Sequence, residues 1–516
     1  MGLAACQWPW HIVIAAELQP RRSDFTLLEK GFQMLATYNC RDATDLAAKV
    51  AAREISPTEL LDAALAAVDW VNPKLNAVVL IQEAVARGTI AKGLPPGPFA
   101  GLPFLLKDLG CEAIDFPSHN GSRLLANTRY AKDSAIFERI RQTGVVTFGR
   151  TTSPEGGIGA ATEAAVYGAP TRNPWNLNHT PGGSSGGAGA AVAAGLAPFA
   201  HGSDGGGSVR IPASNCGLFG MKPTRARLPD GPYVGEGWAG MAIDGFLTWS
   251  VRDTAAMLDA CQGPDLGAPY HAPPLRAGHM QAISRPPRRM RVMLCDTTFT
   301  GDPIHPEVVQ AVRQTGHLLE SLGHHVEPGL PKADIRGMMR AWTDIVACGT
   351  ALGIRKALQA KGRDLKPDDV EGVSRGAMAH AATLSGADYL DAVGRIHSFG
   401  REMAAVFDPA DGKGYDIILS GTLAEPPAKV GRFAHGTDDY LGYRIGPNGI
   451  FAYSPFCAVF NASGQPAASV PLALSATGLP VGVHLAARFG CDEELIALCA
   501  EIESAQPWFA RRPKIG

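Results

Sequence analysis

The sequence predicts an α/β fold built on a central, partly parallel β-sheet. Two observations support this prediction. Short apolar segments of strand length, such as LPFLLKDLG (102–110) and YDIILSGT (415–422), recur along the chain, and helical segments separate them. Strands that alternate with helices are typical of a sheet with helices packed on it. The 516 residues, of which 46% are hydrophobic, are ample for a large core.

Helix signals open the regular part of the chain. Asp45 is a candidate cap for the segment LAAKVAAREI, and Ser56 with Glu59 has the spacing of a capping box. In the strand at 102–110, Lys107 lies in the middle among apolar residues. A lysine there is costly to desolvate unless it has a partner or a chemical role, so a salt bridge to a distant acid is the structural alternative.

The other predicted elements follow in chain order. They are a strand at 75–81, a helix at 135–141, a strand at 145–150, an alanine-rich helix at 188–196, a strand at 196–204, a strand at 291–296, an amphipathic helix at 305–327 that runs into a strand, a mostly helical region at 335–410, a hairpin at 469–474 and 479–487, and a last helix.

Composition excludes several classes of protein. The net charge of -2 and the pI of about 6.7 do not favour nucleic acid or anionic membrane as a partner. The 10 cysteines are scattered without a C-x-x-C pair, which predicts free thiols in a reducing compartment such as the cytoplasm. No apolar run is long enough to span a bilayer. Residues 1–36 are predicted to be a poorly ordered extension without the features of a secretory signal, ahead of one domain at 37–516.

Residues 180–224 carry the strongest chemical signal. Glycine, serine and alanine dominate this stretch, and the triple glycine Gly205–Gly207 leads directly into Ser208. Glycine lets a ligand approach the backbone closely, and bare N–H groups beside a hydroxyl are what an oxyanion hole next to a nucleophile requires. A flexible linker is disfavoured because apolar and charged residues interrupt the run.

Other motifs in the chain do not fit their usual context. Residues 182–186 match G-x-S-x-G, but turn chemistry rather than a strand precedes the serine. Residues 235–240 match G-x-G-x-x-G, but no helix is predicted to follow. There is no Walker A loop and no H-E-x-x-H, and the pair His324–His325 is interpreted as a surface pair at a helix end rather than a metal site.

Three segments resemble the amidase signature family. They are Lys107, the run Gly182–Gly187 and the run Gly202–Pro212, with steps of 77 and 24 residues between Lys107, Ser184 and Ser208. The similarity is strong over about 95–255 and recurs at Asn461–Glu503. Within the family, Thr171–Trp175 and Asp244–Leu247 resemble the hydrolases of the 6-aminohexanoate cyclic dimer and related bacterial amidases. The resemblance implies a mixed, twisted sheet covered by helices on both faces, with a catalytic core at about 95–255 and a helical pocket region at about 335–410.

The resemblance also implies a mechanism without metal or cofactor. Ser208 is the expected nucleophile, Ser184 the bridging hydroxyl after a cis peptide at Gly183, and Lys107 the base. A lysine must be desolvated to be neutral near pH 7, and the surroundings of Lys107 contain no obvious carboxylate. The expected oxyanion donors are the N–H groups of Gly205, Gly206, Gly207 and Ser208. Asp204 and Arg210 are expected to pair and hold this loop.

The substrate is less well defined. Cys348 falls where the resemblance places a cysteine beside the bound amide, although a buried packing cysteine is an equal alternative. The expected reaction is hydrolysis of a small uncharged linear or cyclic amide through an acyl-enzyme. An aryl acylamidase, a carbamate or ester hydrolase, and the glutaminase-like subunit of a tRNA-dependent amidotransferase are the alternatives. A monomer or homodimer is expected, with a small amide as the only partner.

Overall fold

The computed structural model describes residues 40–408 and 412–515. The extension predicted at 1–36 lies outside the described residues. A single sheet of 11 strands organises the chain. In chain order the strands are β1 (Val78–Ile81), β2 (Pro103–Lys107), β3 (Val146–Thr151), β4 (Ala200–Asp204), β5 (Phe219–Lys222), β6 (Ile243–Thr248), β7 (Arg291–Leu294), β8 (His325–Pro328), β9 (Ile417–Gly421), β10 (Ala467–Leu474) and β11 (Pro480–Ala487).

Helices connect and cover these strands. They are α1 (Ala43–Ala51), α2 (Pro57–Leu75), α3 (Glu83–Lys92), α4 (Ala135–Gln142), α5 (Gly186–Ala193), α6 (Arg210–Cys216), α7 (Val251–Cys261), α8 (His279–Ile283), α9 (Pro306–Ser321), α10 (Ile335–Lys361), α11 (Gly372–Ala381), α12 (Gly386–Phe407), α13 (Tyr440–Ile445), α14 (Ile450–Tyr453), α15 (Cys457–Ala462) and α16 (Asp492–Ala505). Among the described residues, no helix is long and apolar enough to cross a membrane.

The sheet is mixed, as predicted. Its strand order is β1-β3-β2-β4-β6-β5-β10-β11-β9-β7-β8. β2 runs parallel to both β3 and β4, and β7 runs parallel to β8 and β9, whereas the other neighbours are antiparallel. Consecutive strand residues point to opposite faces. Accordingly Phe104 and Leu106 belong to one hydrophobic cluster and Leu105 to another, so the sheet has a helix-covered core on each face.

The predicted site lies at the carboxyl ends of β2 and β4. Because β2 and β4 are parallel, their carboxyl ends meet at one edge of the sheet, where ligands of open α/β sheets bind. Lys107 is the last residue of β2 rather than its middle, and Asp204 is the last residue of β4. Lys107 and the loop after Asp204 are therefore brought together at the same edge.

Two predicted details differ in the structure. Asp42, not Asp45, caps α1, because its carboxylate accepts the Asp45 N–H at 3.0 Å. His324 is not a surface residue: it is buried, and its Nε2 lies 2.8 Å from Glu501 of α16. The capping box at Ser56 and the hairpin of β10 and β11 are confirmed.

Candidate active site

Lys107 is fully buried and is held by two serines. Its Nζ lies 2.7 Å from Ser184 Oγ and 2.9 Å from Ser203 Oγ. The Ser203 carbonyl lies at 3.4 Å. A neutral amine has one lone pair and two hydrogens, so it can accept from one hydroxyl and donate to two oxygens. An ammonium would donate to all three oxygens, so the contacts fit both protonation states, and no carboxylate of the described residues pairs with Nζ.

Burial lowers the pKa of Lys107 from 10.5 to about 7. The negative charges of Asp244 and Asp204 act in the opposite direction and keep the pKa from falling further. These two carboxylates correct the prediction that none lies nearby. Sequence reasoning missed Asp244 because it comes from β6, whose place beside β4 depends on strand pairing. Lys107 is thus balanced between its neutral and charged forms near neutral pH.

His201 links Asp244 to the end of β2. Its Nδ1 accepts the main-chain N–H of Lys107 at 3.3 Å, and its Nε2 lies 2.9 Å from Asp244 Oδ1. Since Nδ1 is an acceptor, the hydrogen of the neutral ring is on Nε2 and points to the carboxylate. The ring therefore connects the Asp244 carboxylate to the main chain at the end of β2.

The peptide bond between Gly183 and Ser184 is cis. Only glycine fits at position 183, because a Cβ there would lie 2.7 Å from Ala161 N and from Gly159 O. The next residue, Ser185, fastens this segment to β4: its Oγ donates to the Ser203 carbonyl at 3.2 Å. Its N–H donates to the Ser208 carbonyl at 3.1 Å, so the segments that carry Ser184 and Ser208 are directly joined.

A buried ion pair supports the loop that carries Ser208. Two nitrogens of Arg210 lie 2.8 and 2.9 Å from the Asp204 carboxylate, and both side chains are fully buried. Burial opposes ionisation of Asp204, but Arg210 and Asn461 outweigh it and lower the pKa of that carboxyl well below its usual range. Arg210 also donates to Asn461 and to the Cys457 carbonyl, which ties the loop to α15. The predicted pairing of Asp204 with Arg210 is confirmed.

The glycine loop presents three free main-chain donors. Within the described residues, the N–H groups of Gly205, Gly206 and Ser208 have no hydrogen-bond acceptor. Gly207 differs, because its N–H donates to Asp204 Oδ1 at 2.7 Å. Gly207 therefore departs from the prediction that its N–H lines the oxyanion hole, and its φ of +125° shows why a glycine is needed in the turn.

Ser208 lies half-buried at the end of this loop. Its hydroxyl makes no hydrogen bond to any residue that the structure describes. A half-buried hydroxyl beside free N–H groups is open to a substrate carbonyl, whereas the neighbouring Ser184 hydroxyl is buried and engaged with Lys107.

Aromatic residues that the sequence did not single out cover the loop. The Trp342 indole of α10 donates to the Gly205 carbonyl at 3.1 Å, and a Cβ at Gly206 would lie 2.9 Å from its ring. Trp342 packs edge-on against Trp238 at 5.6 Å and Phe451 at 5.3 Å between ring centroids. These contacts span more than 100 residues of sequence, so no local pattern marks them.

Cys348 lies on α10, half-buried, and its neighbour Gly349 approaches Trp238. Burial raises the pKa of the Cys348 thiol, so it behaves as a small neutral group. Eight described cysteines, from Cys111 to Cys499, are free thiols. No group of three or more metal-ligating side chains is found in the described part of the chain.

The fold and this edge of the sheet define an enzyme that hydrolyses amide bonds. The sequence matches the Amidase family over residues 59–496, and the chain belongs to that family. It is 38% identical over 486 residues to 6-aminohexanoate-cyclic-dimer hydrolase of Paenarthrobacter ureafaciens. This alignment covers 92% of this chain and 97% of the hydrolase.

Solved structures agree with this assignment. A structure of 6-aminohexanoate cyclic dimer hydrolase complexed with substrate superposes with a TM-score of 0.87 and 36% identity, covering 92% of this chain and 99% of the other. A bacterial aryl acylamidase of the amidase signature enzymes family superposes with a TM-score of 0.81 and 28% identity over the same shares. The predicted family and fold class are confirmed.

Proposed function

We propose that the chain hydrolyses amides through an acyl-enzyme, with Ser208 as nucleophile, Ser184 as proton relay and Lys107 as base. The observation that carries the proposal is the 2.7 Å contact between Lys107 Nζ and Ser184 Oγ, together with a pKa of about 7 for that lysine. A serine hydroxyl is a poor nucleophile unless a neighbouring group takes its proton, and a neutral lysine can do so.

The proposed reaction passes through an acyl-enzyme on Ser208. Ser208 Oγ attacks the substrate carbonyl, Ser184 takes the proton from Ser208, and Lys107 takes the proton from Ser184. The oxyanion that forms is stabilised by the N–H groups of Gly205, Gly206 and Ser208; loss of one such donor typically lowers the rate about 100- to 1,000-fold. The relay then returns the proton to the amide nitrogen, the C–N bond breaks, and the amine leaves. Water hydrolyses the remaining ester by the same route.

A compact uncharged amide, such as a cyclic dimer of 6-aminohexanoate, is the first substrate that we propose. Its support is the similarity to hydrolases of that compound over 92% of the chain. An aryl acylamidase activity is the second candidate, supported by the likeness to the aryl acylamidase at 28% identity. In either case Cys348 is proposed to line the cleft as a small neutral group.

Three amides separate these possibilities. We expect the wild type to hydrolyse the cyclic dimer, an aryl anilide or both, and to show no dependence on a partner protein. Glutamine is the third compound, and hydrolysis of glutamine alone together with a larger complex in gel filtration would favour an amidotransferase subunit instead. A fluorophosphonate should add one label to the wild type and none to Ser208→Ala. Full activity in Ser208→Ala would overturn the proposed mechanism.

A further inference from the structure

Arg444 on α13 is a buried cation that the proposed mechanism does not use. Only 2% of its surface is exposed. Its Cζ lies 5.0 Å from the ring centroid of Trp342, 5.5 Å from that of Tyr440 and 5.8 Å from that of Tyr443. Trp342 in turn contacts Gly205 and Gly206. One indole ring therefore separates the guanidinium from the loop of free N–H donors.

Two nitrogens of this guanidinium, Nε and Nη2, have no hydrogen-bond partner among the described residues. No carboxylate of those residues forms an ion pair with Arg444 either. The nearest comparison is Arg432, which lies 5.0 Å over the Phe433 ring but is paired with Glu425 at 2.7 Å. Aromatic rings stabilise the flat faces of a guanidinium, but they do not replace acceptors for its N–H groups in the plane.

Tyr440 provides one side-chain hydrogen bond to Arg444, but Nε and Nη2 remain without an acceptor. Buried N–H groups of a charged side chain without acceptors are strongly unfavourable, so a further partner is expected in the working enzyme. The fitting chemistry is an oxygen acceptor, because a guanidinium donates in a planar fork that matches a carboxylate or a carbonyl. The position beside the wall of the candidate active site indicates that this acceptor arrives with the substrate. The prediction of a small uncharged amide as substrate did not take Arg444 into account.

We infer that Arg444 binds a second carbonyl or carboxylate oxygen of the substrate, remote from the bond that is cleaved. The inference rests on the proposed function, and it names the substrate class: amides with a second oxygen acceptor. A cyclic dimer, which has a second amide carbonyl, and a linear amide with a terminal carboxylate both belong to this class.

Two series of linear amides test the inference. In one series the far end of the acyl chain is varied, and in the other the far end of the amine chain is varied. The varied end is a carboxylate, a carboxamide or a methyl group. We expect the wild type to prefer an acceptor end over the methyl end in one series. Arg444→Met should reduce that preference about 10- to 100-fold, the range for loss of a hydrogen bond to a charged group. The carboxylate and carboxamide arms distinguish an anionic from a neutral acceptor.

Arg432→Met is the matched control, since it removes a guanidinium that lies over an aromatic ring but already has an acid partner. It should leave the preference unchanged. An equal loss on all three ends in Arg444→Met, or no loss, would overturn the inference and leave amide hydrolysis intact. If the wild type cleaves none of the amides, the proposed function fails. In that case binding is measured by the melting temperature of Ser208→Ala in the presence of each amide. The inference is supported if amides with an acceptor end raise this melting temperature and if adding Arg444→Met to the variant removes the rise. It is contradicted if the acceptor ends give no rise.

Discussion

Replacement of Lys107 by methionine is predicted to inactivate the enzyme and to make it more stable near neutral pH. The wild type holds a fully buried lysine whose pKa falls from 10.5 to about 7. The difference, 10.5 minus 7, is about 3.5 pKa units. At about 1.36 kcal/mol for each unit it corresponds to about 5 kcal/mol of destabilisation well below pH 7, and to about 4 kcal/mol at pH 7, where the folded lysine is half protonated. Methionine has a similar length and no charge to desolvate.

The sign of the pH dependence follows from proton binding. Between pH 7 and 10.5 the unfolded lysine carries a proton that the folded one does not, so the stability of the wild type rises with pH in this window. Below pH 7 both states are protonated and the full penalty remains. The advantage of Lys107→Met should therefore shrink by about 2 kcal/mol between about pH 7 and pH 9, since the folded lysine is still half protonated at pH 7. This change does not depend on the hydrogen bonds to Ser184 and Ser203, whose loss is the same at both pH values.

Calorimetry at several pH values measures the effect. For a chain of this length the entropy of unfolding is about 1 kcal/mol/K, so the gap in Tm should shrink by about 2 °C between about pH 7 and pH 9. Lys222→Met is the matched control: Lys222 is also fully buried with a pKa lowered to about 7, but it donates to the Pro223 carbonyl and does not contact Ser184. It should show the same stability trend and keep turnover. A Tm gap for Lys107→Met that is flat from about pH 7 to pH 9 would refute the reasoning, because Lys107 would then be charged in the folded enzyme.

Three further predictions concern the surroundings of Lys107. The value of kcat/KM should rise with pH through a midpoint near the Lys107 pKa of about 7, and Asp244→Asn should move the midpoint to lower pH, since the Asp244 charge raises that pKa; an unmoved midpoint would contradict this. Asp204→Asn should lower the free energy of unfolding, measured by chemical denaturation, by about 3–5 kcal/mol because Arg210 stays buried without its counter-charge. Asp391→Asn, which breaks an exposed pair with Arg395, should lower it by at most about 0.5 kcal/mol. Cys348→Trp should raise KM or lower kcat for small amides with Tm nearly unchanged, and unchanged kinetics would place Cys348 outside the cleft.

Local patterns in the sequence were sufficient for most strands, the capping box and the glycine loop, but β5 and β6 were not predicted. Lys107 and Ser184 were paired from their spacing and their resemblance to a family, and the structure brings them within 2.7 Å. The pairing of Asp204 with Arg210 was also predictable, because six residues separate them and both flank the loop. These features depend on residues that are close in sequence or that belong to a familiar pattern.

Features that depend on long-range packing were not predictable from the sequence. The engagement of the Gly207 N–H by Asp204 requires the turn geometry, which composition does not reveal. Trp342 contacts Gly205 across 137 residues, and His324 is buried because Glu501 reaches it across 177 residues. The sequence around Arg444 gives no sign that this arginine is buried. Its burial depends on the packing of three aromatic rings around the guanidinium.

The acyl-enzyme itself provides the most direct test of the central claim that Ser208 is the nucleophile of this site. An aryl anilide is mixed with the enzyme, the reaction is quenched in acid within milliseconds, and the digested protein is analysed by mass spectrometry. The mechanism predicts one acyl group, on the peptide that contains Ser208, and its accumulation should slow severely in Lys107→Met. Acylation of a different peptide, or turnover of the anilide with no acylated peptide and an unaffected Ser208→Ala variant, would contradict it.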